Sequence, residues 1–508
     1  MSPSTRIIVN TIAQFFKSML SVIFAFVSTR YVLESLGVED FGLYNLIAGI
    51  VSMLSFIMTA MSSSTQRFLS YSQGLGDTKE VKALFNNSFV LHISFGLCIF
   101  ICLEGCTTFV FDSLLNIDTE RLDTAIKIYH IILLTLLVTF ATSPFKAAIV
   151  AHENIVFSSL VEVFDSLFKL VIAFSLRYVP FDLLQYYVLM LFVMQLLNFL
   201  IYGGYALIKY EECTWRVYVG LTTKRILKLL SFTGWNIYNI SCVVGRMQGI
   251  SILLNRAMGT TINAAYGLGF QISSAVNYLS SSLANAINPQ LMKAEGAGDR
   301  QKMLRLAELE SKFAFLIFAT ISIPLMFEMQ LVLDFWLNEV PKYSVLFCRM
   351  VLLAALADTL TLGLGPANQA IGRIGWYTLT VYSIKLLTLP VAFLLLINDA
   401  DLLWVAIAYV GFEFISSLIR LPFLSYCANL SISHFVRNVF VRELLPVFGM
   451  VITCLLQHLF IDSPFRLFTT FIFSFIVSIL LIYYTSLTKQ ERSGLILIIN
   501  KFLKIKKS

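Results

Sequence analysis

The chain has 508 residues, of which 58% are hydrophobic and only 13% are charged. Soluble domains carry about 25% charged residues, so this composition excludes a water-exposed globular protein and indicates a membrane protein. The net charge of +7 is compatible with nucleic-acid binding. The cations are nevertheless distributed as in a membrane protein, and we expect no nucleic-acid partner.

Fourteen apolar segments are long enough to cross a bilayer, which takes about 20 residues. In chain order they cover 7–32, 41–64, 85–111, 124–145, 156–176, 183–208, 227–254, 262–286, 312–336, 344–364, 377–397, 402–425, 440–460 and 465–487. The connections are short, so no soluble domain is inserted between them. We predict an all-α integral membrane protein.

The loop charges predict the orientation of these spans. When alternate loops are assigned to opposite sides of the membrane, one side holds most of the lysines and arginines, including Lys79, Lys224 and Arg300. The other side is acidic and includes Asp118 and Asp399. Because cytoplasmic loops carry an excess of Lys and Arg, the first side is the cytoplasm. Fourteen spans then place both termini in the cytoplasm.

Sequence matches recur at a constant offset of 222 residues. The matched pairs are Gly37/Gly259, Tyr44/Tyr266, Gly74/Gly296, Gly76/Gly298, Asp77/Asp299, Pro144/Pro366, Ala148/Ala370 and Ile149/Ile371. A chance identity at one aligned position arises roughly once in fifteen, so three separated windows without a gap indicate a duplicated unit. The offset covers six spans, an even number. The two copies therefore share one orientation and are related by a pseudo-twofold axis along the membrane normal.

This repeat predicts the domain organisation. We expect an N-terminal lobe at 1–210, a cytoplasmic linker at 211–226, a C-terminal lobe at 227–430, two further spans within 431–488 and a basic amphipathic tail at 489–508. Each lobe holds six spans. The tail mixes apolar residues with lysines and is expected to lie on the anionic inner leaflet, the alternative being a frayed basic end.

Spans 1 and 7 each carry a polar stripe. The first stripe includes Gln14 and Lys17, and the second includes Asn236, Asn239 and Arg246. Adding 222 to the two positions in span 1 gives Asn236 and Asn239, so the stripes occupy matching places in the repeat. Charged groups inside spans normally face a bundle interior or a water-filled cavity. We therefore predict that Lys17 and Arg246 line a cleft between the lobes. The alternative is that each is neutralised by a buried carboxylate.

Span 5 contains Glu162, Asp165 and Lys169. Asp165 and Lys169 are four residues apart and can pair directly, which leaves Glu162 as a surplus acid. Lys385 lies in the matching helix of the second lobe. Lys169 and Lys385 therefore join Lys17 and Arg246 as candidate binding cations, while Glu162 and Asp165 are candidate ion-coupling groups.

Asp358 in span 10 has no cation near it on its own helix, and Glu413 in span 12 is similarly isolated. A carboxylate in such surroundings either exchanges protons or Na⁺, or pairs with a cation from another helix. Arg349, Lys385 and Arg246 are the candidate partners of Asp358. We keep Asp358 as a candidate ion-coupling residue.

Signatures of enzymatic chemistry are missing from the sequence. No P-loop is present, so ATP does not drive this chain directly. The five histidines are scattered without metal-ligand spacing, and no nucleophile elbow occurs. We expect no enzyme activity and no cofactor.

Several segments together resemble one transporter family. They are LGVEDFGLY at 36–44, Arg67 closing span 2, GLGDTKE at 74–80, NPQLMKAEGAGDRQKM at 288–303 and GPANQAIGR at 365–373. These segments are similar to those of polysaccharide flippases of the MATE-like superfamily. The most similar group is the Wzx-type flippases of lipid-linked oligosaccharide (O-antigen) in bacterial inner membranes. The resemblance covers nearly the whole chain.

The resemblance implies two six-helix lobes that form a V and open alternately to each face of the membrane. The implied cargo is an oligosaccharide linked to undecaprenyl diphosphate, with glycosyltransferases and a glycan polymerase as functional partners and membrane lipids around it. Lys17 and Arg246 then stand where the diphosphate needs countercharge. Arg30 and Arg67, near opposite ends of spans 1 and 2, are candidate entrance residues, and snorkelling at helix ends explains them equally well.

The sequence differs in two ways from other branches of the superfamily, and two alternative functions follow from the comparison. Multidrug members of the superfamily often use an acid in span 1, where this chain has Lys17 and no acid. That difference argues against drug extrusion, but a cation-coupled multidrug antiporter remains one alternative. A lipid II-type flippase is the other, because those proteins also have fourteen spans, although the cation set here is sparser.

Overall fold

A computed structural model describes residues 3–52, 54–111, 117, 119–180, 182–214, 220–337, 339–461, 465–489 and 491–493. Across these ranges the structure is helical and contains no strand. The α-helices are α1 (Pro3–Ser52), α2 (Ser55–Leu75), α3 (Thr78–Gly105), α4 (Thr107–Phe109), α5 (Leu122–Ala151), α6 (Ile155–Ser175), α7 (Leu183–Lys209), α8 (Thr223–Met258), α9 (Thr260–Gly296), α10 (Arg300–Phe327), α11 (Met329–Trp336), α12 (Ser344–Thr359), α13 (Leu364–Ile371), α14 (Ile374–Leu386), α15 (Thr388–Ile397), α16 (Leu402–Ala428), α17 (Ile432–Asn438), α18 (Phe440–Phe460) and α19 (Arg466–Leu481). A 3₁₀ turn follows α6 and a π-helical turn follows α19. Residues 494–508, most of the predicted basic tail, lie outside the described residues.

The predicted all-helical membrane fold is confirmed, and the chain is a multi-pass membrane protein. Every predicted span falls on one or more of these helices, but only ten stretches of the described chain are long and apolar enough to cross a membrane. The number becomes eleven if α12 and α13, which are bent by 47°, form one span. One cause of the difference from fourteen is α6, in which Glu162, Asp165 and Lys169 add three charges to a short apolar helix.

The chain divides into two compact units. Unit 2 comprises Ile8–Ile237 and Met292–Gly298, and unit 1 comprises Met1–Ile7, Tyr238–Leu291 and Asp299–Ser508. The division therefore falls within α8, whereas the sequence placed the lobe boundary in the linker at 211–226. Unit 1 also includes α18 and α19, the two spans that the sequence treated as appended to the second lobe.

The main core of unit 2 is formed by buried apolar side chains of α1, α3, α5 and α7, among them Leu133 and Phe140. Tyr44 and Tyr187 pack against this core with their ring centroids 5.2 Å apart. The positions 222 residues later are Tyr266 and Tyr409, which are both buried in the corresponding core of unit 1. The duplicated sequence thus builds two cores with tyrosines at equivalent places.

The same repeat is visible in turns that require glycine. Gly37 and Gly259 adopt φ values of 79° and 87°, and Gly76 and Gly298 adopt 75° and 76°. Side chains with a Cβ rarely adopt such positive angles. One residue after the second pair, Asp77 and Asp299 cap α3 and α10 by accepting a backbone N–H three residues on. The repeated residues therefore make the same turns in both copies.

In unit 1, α18 and α19 are held against α10 by apolar packing and by two ion pairs. Phe315 and Ile323 of α10 share a buried cluster with Met450 and Cys454 of α18. Glu328, which follows α10, binds Arg466 at 3.1 Å and Thr470 at 2.9 Å. Near the middle of α10, Lys312 binds Glu491, which follows α19 in the chain, at 2.8 Å. The last two long helices are therefore part of the same packed body.

Candidate functional site

Five charged side chains from four helices meet inside unit 1, and we call them the unit 1 charge cluster. They are Arg246 of α8, Asp358 of α12, Lys385 of α14, and Glu413 and Arg420 of α16. Arg246 contacts Glu413 at 2.5 Å and Lys385 contacts Asp358 at 2.9 Å. Lys385 also contacts Glu413, and Arg420 contacts Asp358. Three cations face two carboxylates, so the cluster carries one surplus positive charge.

The cluster lies beside the break between α12 and α13. Backbone carbonyls at a broken helix lose their usual partners, and inside a membrane they must be satisfied by protein groups. Arg420 Nη1 donates hydrogen bonds to the carbonyl oxygens of Asp358 and Thr361 at 3.3 and 3.4 Å. The Thr361 hydroxyl donates to the carbonyl of Ser417 at 3.0 Å. Arg420 therefore stabilises the break and neutralises Asp358 with one guanidinium group.

A cavity of about 350 Å³ opens onto the unit 1 charge cluster. Arg246, Lys385 and Arg420 line it together with Asn239 and Tyr409, whose ring lies 4.3 Å from the Arg246 guanidinium carbon. The side chains of Arg246 and Arg420 are only 7% and 4% exposed. Their Nε atoms have no hydrogen-bond acceptor among the described residues. Two guanidinium groups and one ammonium group in the lining of one cavity favour the binding of an anionic oxygen there.

Unit 2 contains a second network, which we call the unit 2 charge cluster. Glu162 of α6 contacts Lys17 of α1 at 2.8 Å and also contacts Lys146 of α5. One turn further along α6, Asp165 pairs with Lys169 at 3.1 Å, as the spacing predicted. Asp165 also accepts a hydrogen bond from Asn198 Nδ2 of α7 at 2.8 Å. The Glu162 carboxylate, expected to be surplus, is thus shared by two lysines.

The two clusters are built by equivalent helices of the repeat. The pairs of helices are α1 and α8, α5 and α12, α6 and α14, and α7 and α16. Asn198 and Arg420 differ by 222 in number, and each donates to the acid of its own cluster. Each cluster also has three cations and two carboxylates. The sequence analysis did not predict Lys146 and Arg420 as site residues. Arg420 could have been found from the repeat, because it lies 222 residues after Asn198, another polar residue within a predicted span.

The predicted cations have partners. Lys17 and Arg246 each contact a carboxylate of their own unit, which corresponds to the alternative of neutralised cations, while Arg246 also lines the cavity. Of the three partners considered for Asp358, Lys385 makes the contact. Arg349 instead donates from Nε to the carbonyl of Met326 at 2.8 Å.

The predicted polar residues have separate environments. Gln14 lies half-buried on α1, and Asn236 is buried and donates to the hydroxyl of Ser64 at 3.1 Å. Asn239, one helical turn later, lines the cavity of unit 1. Of these three residues, Asn239 is the one that lines the described cavity at the unit 1 charge cluster.

The two candidate entrance residues lie outside both clusters. Arg30 is exposed on α1. Arg67 is 5% exposed, and its guanidinium carbon lies 4.6 Å from the ring of Phe68 and 4.8 Å from the ring of Tyr71. Cation–π contacts of this kind hold Arg67 within the packed part of unit 2.

Comparison with known proteins gives one sequence relative and several solved structures with the same fold. No protein-family model matches the chain. The chain is 28% identical over 134 residues to the uncharacterized membrane protein EpsK of Bacillus subtilis (strain 168). The match spans 25% of this chain and 26% of that protein, so the chain matches about a quarter of the length of that relative.

The structural likeness covers much more of the chain. A MATE protein in the bent conformation superposes with a TM-score of 0.74 at 14% identity, covering 86% of this chain and 97% of that protein. A MOP superfamily transporter from Pyrococcus furiosus Vc1, described as having a binding pocket of reverse polarity, gives a TM-score of 0.70 at 14% identity, covering 83% and 95%. The fold of this chain is therefore that of the MATE-type transporters.

Proposed function

We propose that the protein is a flippase that moves an undecaprenyl-diphosphate-linked oligosaccharide from the cytoplasmic to the periplasmic leaflet by alternating access. It works in the bacterial inner membrane with both termini in the cytoplasm. The observation that carries this proposal is the cavity in unit 1, where three buried cations meet only two carboxylates. An anionic headgroup supplies the missing negative charge.

The chemistry of the cavity suits a diphosphate. The Arg246 and Arg420 guanidinium groups present donors that match phosphate oxygens, and Lys385 adds a point charge. Asn239 and Tyr409 provide neutral polar groups at the same cavity, which suit the hydroxyl groups of a sugar. The polyprenyl chain remains in the bilayer, because its transfer into a hydrated cavity is unfavourable.

The unit 2 charge cluster offers the same surplus charge in a more open setting. Lys146 and Lys169 are 42% and 48% exposed, against 6% for Lys385 in unit 1. Lys17 and Lys169 are therefore proposed as contacts for the same anionic cargo. Glycosyltransferases that build the cargo and a polymerase that consumes it are the proposed functional partners.

The test is the double substitution of Lys17→Ala and Arg246→Ala. Each removed cation leaves its carboxylate with another partner, since Glu162 retains Lys146 and Glu413 retains Lys385. The protein should therefore still fold and accumulate, while glycan export falls by at least about tenfold, as expected when a charged anchor for phosphate is lost. Arg349→Ala removes a positive charge outside both clusters and serves as the matched control. Normal export by the double variant at normal protein level would refute the proposal.

A cation-coupled multidrug antiporter is a second candidate, favoured by the MATE-type fold and by the carboxylates Asp358 and Glu413 in the cavity lining. An antiporter of this class expels cationic dyes. Dye efflux by the purified protein in liposomes, together with unchanged glycan export in a deletion strain, would favour this function over the flippase.

A further inference from the structure

A second cavity, of about 630 Å³, lies in unit 1 away from the unit 1 charge cluster. Its walls come from the first turns of α10, the end of α16, α17 and the C-terminal strap, by which we mean residues 487–489 and 491–493 after α19. Leu304, Leu309 and Leu430 give it apolar walls, and Arg305, Lys312 and His434 bring basic groups.

Lys312 is the buried cation of this cavity. Its side chain is 4% exposed, and its ammonium group contacts both carboxylate oxygens of Glu491 at 2.8 Å. A buried ammonium group requires a counterion, because leaving it unpaired costs several kcal/mol. Its hydrogen-bonded counterion comes from the strap, and the buried carboxyl group of Glu443 on α18 lies within electrostatic range of the same ammonium group.

Glu491 reaches Lys312 through a capping box. The backbone N–H of Thr488 donates to Glu491 Oε2 at 2.7 Å, and the backbone N–H of Glu491 donates to the Thr488 hydroxyl at 3.2 Å. This motif begins helices and orients the carboxylate towards Lys312. Within the strap, Arg492 Nη2 also donates to the carbonyl of Tyr484 at 2.5 Å, and just before the strap Arg442 donates to the carbonyl of Ser486 at 3.2 Å. A single carboxylate on a short segment thus occupies the anionic position of the cavity.

The surroundings define the anion that can replace that carboxylate. Glu308 lies near His434 with 3.7 Å between the carboxylate and the imidazole, and the carboxylates Glu308 and Glu491 share the cavity lining with Arg305 and Lys312. When Glu491 leaves, Lys312 loses its hydrogen-bonded counterion. The α10 end of this cavity belongs to the loop region rich in lysine and arginine, which is the cytoplasmic side by the positive-inside rule. Anionic phospholipids are concentrated there.

We propose that this cavity binds the phosphodiester headgroup of an anionic phospholipid of the inner leaflet, and that Glu491 competes with that headgroup for Lys312. The leucines contact the glycerol and upper acyl region, and Lys312 and Arg305 contact the phosphate. Lipid binding releases the strap. This inference does not depend on the cargo of the unit 1 charge cluster.

The test measures lipid binding to the full-length protein in detergent by native mass spectrometry. Phosphatidylglycerol should bind, and phosphatidylcholine, which lacks net charge, should bind at least about tenfold more weakly. Glu491→Gln removes the competing charge and should tighten phosphatidylglycerol binding. The double variant Lys312→Met with Glu491→Leu removes the cation and its hydrogen-bonded partner together, so neither member of this ion pair is left buried without the other. This variant should bind phosphatidylglycerol about tenfold more weakly.

Lys302→Gln on the same helix removes an exposed positive charge outside the cavity and should leave lipid binding unchanged. Equal binding of phosphatidylglycerol by the wild type and the double variant would overturn the proposal, as would weaker binding by Glu491→Gln. Displacement of the lipid by equimolar glycerol phosphate would assign the cavity to a free phosphate compound and would also contradict it.

Discussion

Gly74 and Gly296 each face a backbone carbonyl on the helix that carries the other. A Cβ atom on Gly74 would lie 2.1 Å from the carbonyl oxygen of Lys293, and one on Gly296 would lie 2.0 Å from that of Tyr71. Gly74 and Gly296 are separated by 222 positions, and so are Tyr71 and Lys293. The contact therefore repeats itself about a local twofold axis within unit 2. These two positions require glycine, because the backbones of α2 and α9 are in direct contact here.

We expect Gly74→Ala and Gly296→Ala to destabilise the protein, since neither carbonyl can move away without shifting a helix. The cost should be about 1–3 kcal/mol for each substitution. Thermal unfolding of the purified protein in detergent measures it. Gly204→Ala is the control, because a Cβ there has no atom within 4 Å and alanine is the better helix former. A melting temperature for Gly74→Ala that equals that of Gly204→Ala would contradict the close contact.

Arg420→Gln should destabilise unit 1 by about 1–3 kcal/mol, because the substitution removes one of the two charged partners of Asp358, leaving Lys385, and weakens the hydrogen bonds at the helix break. Adding Asp358→Asn should recover part of that loss, since the pair of charges is then removed together. A double-mutant cycle from thermal or denaturant unfolding gives the coupling between the two residues. Additive effects of the two substitutions would show that their contact contributes nothing.

Glu212 predicts a pH dependence outside the membrane spans. Burial raises the pKa of this carboxyl, but the interaction with His152, at 2.5 Å, together with hydrogen bonds from the Glu212 backbone and Gln73, outweighs burial, so the net pKa lies below its ordinary value of 4.5. A carboxyl with a lowered folded-state pKa contributes stability above its unfolded pKa and loses that contribution as the pH falls through the folded value. Glu212→Gln should therefore be less stable than the wild type at pH 7, and the difference should shrink below about pH 4.5. A difference in melting temperature that is constant from pH 7 to pH 4 would refute this role.

Asp358→Asn tests ion coupling in the unit 1 charge cluster. If Asp358 exchanges a proton or Na⁺ during transport, the variant should transport at a rate that no longer responds when the ion gradient is collapsed. Transport into or out of liposomes with imposed gradients measures this response. The matched variant is Asp165→Asn, which changes the equivalent acid in unit 2. An unchanged gradient response in Asp358→Asn would leave Asp358 with a purely structural role.

Much of the helical architecture and one ion pair were readable from the sequence because they depend on local spacing. Asp165 and Lys169 are one turn apart on a single helix, and their pairing follows from that alone. Four glycines with positive φ lie at positions that the repeat matches, namely Gly37, Gly76, Gly259 and Gly298. These features need no knowledge of how helices pack.

The rest of the candidate site depends on contacts between helices that spacing does not reveal. Arg420 lies on α16, yet its partners are the carbonyls exposed where α12 ends. The break itself lies where Gly363 packs closely on α10, since a Cβ there would lie 2.2 Å from the carbonyl oxygen of Ala307. Lys146 lies one residue beyond the predicted span 124–145, because α5 continues to Ala151.

The ion pair between Arg466 and Glu328 has a practical consequence for labelling this protein. It ties the first turn of α19 to the end of α10, so a spin label or fluorophore placed beside Arg466 is expected to report on unit 1 without altering any residue of either charge cluster.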